Sequence, residues 1–401
     1  MTLARPHTEG SRGERRHVLA LDGVRGVAIV MVLCVHFIGD SPAYTALTRV
    51  MVKLANYGIW GVDLFFVLSG FLITGILYDS KGSAHYFRDF YVRRTLRIFP
   101  LYYGVLALLF IVLPALPSPY PAGLAESAHH QGWLWLYASN IYLAIRRTWA
   151  LPYVGHFWSL AVEEQFYLVW PIVVFYISRR WLLGVCVAVT VLALALRSTL
   201  GLAGGDAMAQ LVLTPCRFDA LCVGGFLALA VRSRGLARVA HVARLSLGPL
   251  FCLILLASGL NAIRGSLSSV VLPVRGTLIA LTFGALLVTT LAAPTESILS
   301  RVLRGRVLCF LGTRSYGIYV FHGILAYGMV EHRATLDALA ARLGPGPAMV
   351  IVAALGATVS VLVAAASYEL FEKHFLRLKN RLAPSLPEAS VVPTLGVGLA
   401  D

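Results

Sequence analysis

The sequence predicts an all-α protein, a polytopic bundle of helices that crosses a membrane many times. Of its 401 residues, 58% are hydrophobic and only 13% are charged, and the mean hydropathy is +0.77. A soluble globular domain carries about 25% charged and about 45–50% apolar residues. No soluble core of this length needs so many apolar side chains with so little charge. The composition therefore excludes a soluble enzyme, a disordered chain and a fibrous repeat.

Ten apolar runs are long enough to cross a bilayer, for which about 20 residues are needed. They lie at 18–38, 56–78, 96–116, 157–177, 181–200, 213–231, 246–263, 270–292, 308–330 and 348–371. A shorter run, 132–145, is rich in Trp and Tyr, which is typical of an interfacial or re-entrant segment. If this run does cross, the bundle has eleven spans instead of ten.

The distribution of basic residues decides between these two topologies. With ten spans, the loops on one side hold 22 Lys and Arg, the opposite loops hold 7, and 5 lie inside spans. With eleven spans, the arginine-rich loop 232–244 moves to the other side. The preference of Lys and Arg for cytoplasmic loops therefore favours ten spans with both termini in the cytoplasm. The same preference accounts for the net charge of +15, so we expect a lipid bilayer and no nucleic acid as a partner.

We expect one membrane-embedded domain, residues 17–371, between a basic cytoplasmic tail, 1–16, and a disordered cytoplasmic tail, 372–401. A cleaved signal peptide is not expected, because Arg25 interrupts the first apolar run. The six cysteines lie in apolar stretches without C-x-x-C spacing, and we interpret them as small buried hydrophobes. No nucleotide-binding, hydrolase or metalloprotease motif occurs, so we expect no metal and no tightly bound cofactor.

Ionisable residues inside membrane spans are costly and are therefore functional candidates. In the first span, Arg25 and His36 are separated by three helical turns plus about 20°, so they share one helix face about 16 Å apart along the axis. An arginine suits an anionic ligand, and a histidine can move a proton. The alternative is a snorkelling arginine and a histidine that is hydrogen-bonded to a neighbouring helix.

A second polar cluster lies at the start of the run 157–177. His156, Ser159 and Glu163 share a helix face by their i, i+3, i+7 spacing, and Glu164 lies beside them. Carboxylates at this position can orient a histidine or bind substrate hydroxyls. The alternative is a carboxylate pair that is favourable at the positive end of the helix dipole.

A third cluster is basic. Arg93, Arg94 and Arg97 lie within one helical turn, and guanidinium groups so spaced can bind phosphates. The alternative is ordinary anchoring at the cytoplasmic surface. Smaller signals, each of which can also be polar contact between helices, are Asp63, a predicted ion pair of Arg217 with Asp219, and Ser315, Tyr316, Tyr319 and His322.

The chain resembles the membrane-bound acyltransferase family 3 of bacterial O-acyltransferases in seven segments: LDGVRGVAIVMVLCVHF, VDLFFVLSGFLIT, FYVRRTLRIFPLYY, HFWSLAVEEQFYLVWP, RFDALCVGG, SYGIYVFH and SYELFEKHF. Arg25 and His36 match the family's Arg-ten-residues-His motif, and Arg94 and Arg97 match its Arg-x-x-Arg pair. After Glu372 and Lys373 the family often has proline, where this sequence has His374. The sequence is similar to the membrane-only form, without the esterase-like domain of some members.

The resemblance implies transfer of an acetyl or other short acyl group from acyl-coenzyme A to a hydroxyl, usually of a carbohydrate, at the bacterial cytoplasmic membrane. We expect Arg25, Arg93, Arg94 and Arg97 to bind the donor. We expect His36 to act as general base, oriented by Glu164 or Glu163, and Tyr316 or Tyr319 to donate to the oxyanion. A covalent acyl-histidine is the second mechanism.

Two other classes of function remain as alternatives. A transporter or flippase of a glycolipid or polysaccharide unit also needs many spans with buried charge. A non-catalytic scaffold is expected to avoid so many ionisable groups in the membrane. Within the enzyme hypothesis, the acceptor, the acyl chain length and the oligomeric state are left open.

Overall fold

The computed structural model describes residues 9–41, 45–204, 207–263 and 268–383. Over these ranges the regular structure is helical and contains no strand, which confirms the predicted all-α fold class. Apolar stretches form helices because a helix pairs its own backbone N–H and C=O groups, which lipid cannot hydrogen-bond.

The described ranges contain twenty α-helices. Those of the first half are α1 (Glu9–Cys34), α2 (Ala46–Asn56), α3 (Trp60–Asp79), α4 (Tyr86–Ala107), α5 (Leu113–Ala115), α6 (Ala122–Ala128), α7 (Gly132–Trp135), α8 (Ser139–Arg146), α9 (Trp158–Tyr176) and α10 (Arg179–Leu202). Those of the second half are α11 (Ala207–Val212), α12 (Thr214–Arg234), α13 (Leu236–Ile263), α14 (Ser268–Leu291), α15 (Ile298–Leu303), α16 (Arg306–Thr313), α17 (Ser315–Glu331), α18 (Arg333–Leu343), α19 (Pro345–Ser367) and α20 (Lys373–Leu382). Wider π-helical turns occur at Val35–Gly39, Leu108–Val112 and Tyr368–Glu372, and 3₁₀ turns at Tyr57–Ile59 and Gly155–Phe157.

Eight helical stretches of the described chain are long and apolar enough to cross a membrane. They are Leu19–Gly39, Ala46–Asp79, Tyr86–Ala115, Arg179–Leu202, Ala207–Arg234, Leu236–Leu260, Val271–Leu291 and Pro345–Leu382. Each contains most of one predicted span. The other two predicted spans correspond to α9, which carries two glutamates, and to α16 and α17, which are separated at Arg314. The count of ten spans and the cytoplasmic side of both termini stay predictions.

The segment 132–145 folds as two short helices, α7 and α8. The chain between them turns at Tyr137, whose φ is +50°. The longer helix, α8, has 8 residues and rises about 12 Å, whereas the hydrocarbon core of a bilayer is about 30 Å thick. Neither helix is long enough to cross, in line with an interfacial or re-entrant segment.

Glycines let the backbones of neighbouring helices come into direct contact. A Cβ on Gly312 of α16 would lie 1.7 Å from the carbonyl oxygen of Asp22 on α1. A Cβ on Gly224 of α12 would lie 2.0 Å from the carbonyl oxygen of Val67 on α3. Such contacts are typical of membrane helices, where packing replaces the hydrophobic effect as the driving force. They hold α1 and α3, which also pack against each other, at the centre of the bundle.

Parts of both expected tails are helical in the structure. Residues 9–16 belong to α1, and residues 1–8 lie outside the described residues. Residues 373–382, expected to be disordered, form α20, and residues 384–401 lie outside the described residues. The expectation failed because it rested on prolines at 384, 387 and 393, all of which follow α20.

Candidate active site

Arg25 lies on α1 in an ion pair with Asp22. Nη1 of Arg25 is 2.7 Å from Oδ1 of Asp22, one turn earlier on the helix. Asp22 is buried, so the pair is largely shielded from solvent. Asp22 was not among the residues singled out from the sequence, although its i, i+3 spacing from Arg25 was a visible signal.

A cavity of about 210 Å³ opens beside Arg25. Its polar lining comprises Arg25, Ser69, Arg94, Arg97, Ser159, Glu163, Tyr167, Ser315, Tyr316 and Tyr319. Most of its apolar wall comes from α3. Three guanidinium groups in an otherwise apolar cavity suit a ligand that has an anionic end and a less polar remainder.

Two of the three clustered arginines line this basic cavity. The guanidinium carbon of Arg94 lies 5.4 Å from the ring centroid of Tyr167. In the part of the chain that the structure describes, neither Arg94 nor Arg97 has a carboxylate within ion-pair distance. Arg93 points elsewhere, and its Nη1 donates to the backbone oxygen of Ala383 at 2.7 Å. Of the three arginines expected to bind phosphate, two therefore line the cavity, and the third contacts the end of α20.

The two glutamates of α9 have different surroundings. Oε1 of Glu163 accepts a hydrogen bond from Oγ of Ser69 at 2.5 Å, and that Oγ lies 3.0 Å from Oη of Tyr167. Oε1 of Glu164 is buried without a hydrogen-bond partner among the described residues. No hydrogen bond joins either glutamate to His36 within those residues, so the structure does not support the expected pairing.

A second cavity, of about 270 Å³, opens beside His36. Its polar lining comprises His36, Asp40, Trp149, Tyr153, His156, Trp158, Tyr319 and Tyr327. Val62 and Tyr319 line both cavities and therefore belong to the wall between them. Arg25 lines the first cavity and His36 the second, so the two residues of the first span face neighbouring compartments.

His36 has a carboxylate partner on its own helix. The π-helical turn Val35–Gly39 carries His36, and Nδ1 of His36 lies 3.3 Å from Oδ2 of Asp40. A carboxylate that accepts from Nδ1–H leaves Nε2 without a hydrogen and able to take up a proton. Asp40 thus occupies the orienting position that the sequence analysis gave to Glu164 or Glu163. Its i, i+4 spacing from His36 was the overlooked signal.

Two more histidines surround His36. The ring centroid of His322 lies 5.0 Å from that of His36 and 5.1 Å from that of His156. Nδ1 of His322 donates to the backbone oxygen of Tyr319 at 2.6 Å, which leaves its buried Nε2 without a partner in the described residues. The described part of the chain contains no group of three or more His, Cys, Asp or Glu side chains that could hold a metal ion.

The hydroxyls of the two candidate oxyanion donors are already engaged. Oη of Tyr316 donates to the backbone oxygen of Ile98 at 2.6 Å. Oη of Tyr319 donates to the backbone oxygen of His156 at 2.7 Å and lies 2.6 Å from Oγ of Ser159. Because a tyrosine hydroxyl has one hydrogen, neither residue has a hydrogen left for an oxyanion in this conformation.

The buried ion pairs differ from the predicted one. Nη2 of Arg217 lies 2.5 Å from Oδ1 of Asp63, and Nη2 of Arg197 lies 2.6 Å from Oδ2 of Asp219. The expected pair of Arg217 with Asp219 is wrong because residues two apart on a helix point in different directions. The first pair joins α12 to α3, and the second joins α12 to α10. Arg217 and Asp63 lie beside the cavities, where Val62 and Phe66 form part of the lining.

Comparison with known proteins shows the family to which this membrane domain belongs. A family model described as an acyltransferase domain, of the third acyltransferase type, matches residues 18–366. The chain belongs to acyltransferase family 3. Within this family domain, α1, α3, α4, α9 and α17 supply the lining of the basic cavity. Five of the seven segments on which the resemblance rests lie on these helices.

Similar proteins include three bacterial relatives. YrhL of Bacillus subtilis, provisionally named a peptidoglycan O-acetyltransferase, is 30% identical over 77% of this chain and 48% of its own length. The peptidoglycan O-acetyltransferase OatA of Listeria monocytogenes is 28% identical over 78% of this chain and 50% of its own length. The O-acetyltransferase OatA of Staphylococcus aureus is 25% identical over 77% and 50%. The chain thus spans about half the length of the curated relatives it matches. No solved structure matches it.

Proposed function

We propose that this protein is a multi-pass membrane O-acyltransferase that moves an acetyl or other short acyl group from acyl-coenzyme A to a hydroxyl of a carbohydrate acceptor. The observation that carries the proposal is the pair of neighbouring cavities, one with Arg25, Arg94 and Arg97 and one with His36. The first suits an anionic donor and the second contains a proton acceptor. The family and the names of the relatives support this reaction class.

The donor would bind in the basic cavity. Coenzyme A carries several phosphates, and guanidinium groups bind phosphate oxygens in a bidentate manner. Arg94 and Arg97 have no carboxylate partner among the described residues, so their charges are available to such a ligand. Arg25 shares its charge with Asp22. The thioester end of the donor would point toward Val62 and Tyr319, which border the second cavity.

His36 would act as general base. Nε2 takes the proton from the acceptor hydroxyl while Asp40 accepts from Nδ1–H and stabilises the imidazolium. The acceptor oxygen forms a bond to the thioester carbonyl carbon, and the carbon–sulfur bond then breaks. The departing thiolate takes up the proton from His36 and leaves as coenzyme A. Attack by His36 itself, with an acyl-histidine intermediate, is the second mechanism.

The acceptor is proposed from the relatives. Two of them are named as peptidoglycan O-acetyltransferases, so we propose acetyl-coenzyme A as donor and a hydroxyl of a peptidoglycan-type sugar as acceptor. We place the protein in the bacterial cytoplasmic membrane, with the basic cavity facing the cytoplasm and His36 nearer the opposite side. This arrangement would let a cytosolic donor acylate an envelope glycan.

The decisive experiment supplies radiolabelled acetyl-coenzyme A and peptidoglycan fragments to the purified protein in lipid nanodiscs. We expect label in the glycan with the unchanged protein and none with His36→Ala. His129→Ala, at an exposed histidine in a loop, is the matched control and should retain transfer. A protein that moves glycolipid across a vesicle membrane without consuming acetyl-coenzyme A would instead be the transporter of the alternative hypothesis.

A further inference from the structure

The C-terminal helix α20 is docked on the helix that carries the clustered arginines. Arg93 of α4 donates from Nη1 to the backbone oxygen of Ala383, at the end of α20, at 2.7 Å. The sequence of α20, KHFLRLKNRL, repeats basic and apolar residues at helical spacing. One face can therefore pack on α4 while the basic residues stay near its arginines.

Lys379 of α20 lies in the most basic part of this contact. Its side chain is half-buried and lies one helical turn before Ala383, whose backbone oxygen Arg93 contacts, so Lys379 lies beside the clustered arginines of α4. In the described ranges no carboxylate lies within ion-pair distance of Lys379. On the same helix, Lys373 differs, because its Nζ is 3.0 Å from Oε2 of Glu369.

Acidic residues lie near the arginines of this group but do not pair with Lys379. Glu372 is close enough to Arg97 for electrostatic attraction, and its Oε1 accepts a hydrogen bond from Oγ of Ser367 at 3.2 Å. Glu163 lines the same cavity as Arg94 and Arg97. None of these carboxylates lies within ion-pair distance of Lys379 in the described ranges. Positive charges held together at the border of an apolar cavity are unfavourable unless an anion joins them. The arrangement therefore indicates a polyanionic ligand at the junction of α4 and α20.

We propose that Lys379 binds the 3′-phosphate of coenzyme A, while Arg94 and Arg97 bind its pyrophosphate. The inference rests on the proposed function and extends it to a residue outside the cavity. Lys379 is not part of the cavity lining, whereas Arg94 and Arg97 are. With the thioester end pointing toward the wall at Val62 and Tyr319, the adenosine end is the part of the donor that reaches α20. An ammonium group suits this place because it binds a terminal phosphate as a point charge.

The test measures binding of coenzyme A and of 3′-dephospho-coenzyme A to the full-length protein in an uncharged detergent, by calorimetry. We expect the unchanged protein to prefer coenzyme A, and Lys379→Gln to lose about tenfold in affinity for coenzyme A, as for one charged hydrogen bond. The same variant should bind the dephospho form as the unchanged protein does. Lys379→Arg should retain most of the preference.

Lys373→Gln is the matched control, because it removes the same charge from the same helix at a position already paired with Glu369. It should leave both affinities unchanged. Unaltered coenzyme A binding in a folded Lys379→Gln protein would overturn the assignment and leave the proposed function intact. Absence of coenzyme A binding by the unchanged protein would overturn both.

A phosphate on Lys379 could also belong to an anionic lipid headgroup. Repeating the measurement in nanodiscs of neutral and of anionic lipid separates the two sources. If Lys379 binds the donor, the loss in Lys379→Gln appears in neutral lipid and in detergent alike. A loss confined to anionic nanodiscs would assign the residue to lipid and overturn the proposal.

Discussion

Nδ1 of His36 lies 3.3 Å from Oδ2 of Asp40, one turn further along the same helix. The two residues belong to a π-helical turn and its cap at the end of the first span, where the second cavity begins. A carboxylate at this position accepts the hydrogen on Nδ1. Nε2 is then the ring nitrogen that is free to contact another group. The carboxylate that contacts His36 therefore comes from the same helix and not from α9, where Glu163 and Glu164 were expected to contact it.

We expect Asp40→Asn to lower kcat for acetyl transfer by about tenfold to a hundredfold, which is no more than the lower end of the range of about a hundredfold to ten-thousandfold for general-base catalysis. The loss is limited because the Asp40 side chain is 54% exposed and water can partly replace it. The KM for acetyl-coenzyme A should not change, because Asp40 lines the other cavity. Asp89→Asn, which removes a surface partner of Arg88, is the control. An unchanged kcat in Asp40→Asn would contradict the positioning role.

We expect Arg97→Gln to raise the KM for acetyl-coenzyme A by about tenfold, since a charge-assisted hydrogen bond contributes about 1.5–3 kcal/mol. Arg97→Lys should have a smaller effect because it keeps the charge and loses the bidentate geometry. Arg180→Gln, at an exposed arginine of α10, controls for the loss of a positive charge. Initial rates over a range of donor concentrations provide the measurement, and equal KM values in all three variants would refute donor binding by Arg97.

Access of the donor's thioester end to the second cavity should depend on Val62. We expect Val62→Trp to abolish acetyl transfer while coenzyme A still binds, because the larger side chain would fill the wall region that both cavities share. Val191→Trp, at an exposed valine of α10, should preserve transfer and shows that an added indole is tolerated. Full activity of Val62→Trp would place the reaction path elsewhere.

The ion pair of Arg217 with Asp63 should stabilise the bundle. Arg217→Met leaves a buried carboxylate without its partner, for which we expect a loss of about 3–5 kcal/mol in the free energy of unfolding. The double variant Arg217→Met, Asp63→Leu should recover part of the loss, because no unpaired charge remains. Unfolding in detergent micelles measures both. If the double variant is less stable than Arg217→Met, the loss of stability in Arg217→Met does not come from the unpaired carboxylate of Asp63.

The close approach of α1 and α16 should tolerate no side chain at Gly312. We expect Gly312→Ala to cost at least about 1–3 kcal/mol, the usual cost of overpacking, because its Cβ would lie 1.7 Å from the carbonyl oxygen of Asp22. Gly248→Ala on α13 is the control, since no atom lies within 4 Å of its Cβ. Alanine there should stabilise the helix slightly. Equal melting temperatures of the two variants would contradict the packing.

The membrane helices were predictable because their signal is local. Apolar runs of about twenty residues mark helices whatever their neighbours, and eight such stretches of the described chain agree with predicted spans. The two remaining predicted spans, α9 and α17, carry Glu163, Glu164, Tyr316, Tyr319 and His322. The signal is weaker in these two because α9 carries two charged glutamates and α17 is separated from α16 at Arg314.

The candidate residues were predictable from their types and spacings, but their partners were not. Arg217 pairs with Asp63, 154 positions earlier, and not with Asp219, two positions later. Arg93 contacts Ala383, 290 positions away, and does not line the cavity that contains Arg94 and Arg97. Helical spacing relates residues within one helix and carries no information about which helices meet.

The sequence by itself determined the class of protein, the positions of most helices and the polar residues that the membrane makes costly. It also identified the family, because short motifs in a fixed order survive where the rest of the chain diverges. Only the tertiary structure decided that Arg217 meets Asp63, that the basic and histidine cavities meet at Val62 and Tyr319, and that α20 returns to the arginines of α4. The physical reason is that contacts between helices depend on the close approach of surfaces distant in sequence, and these surfaces exist only after the bundle has packed.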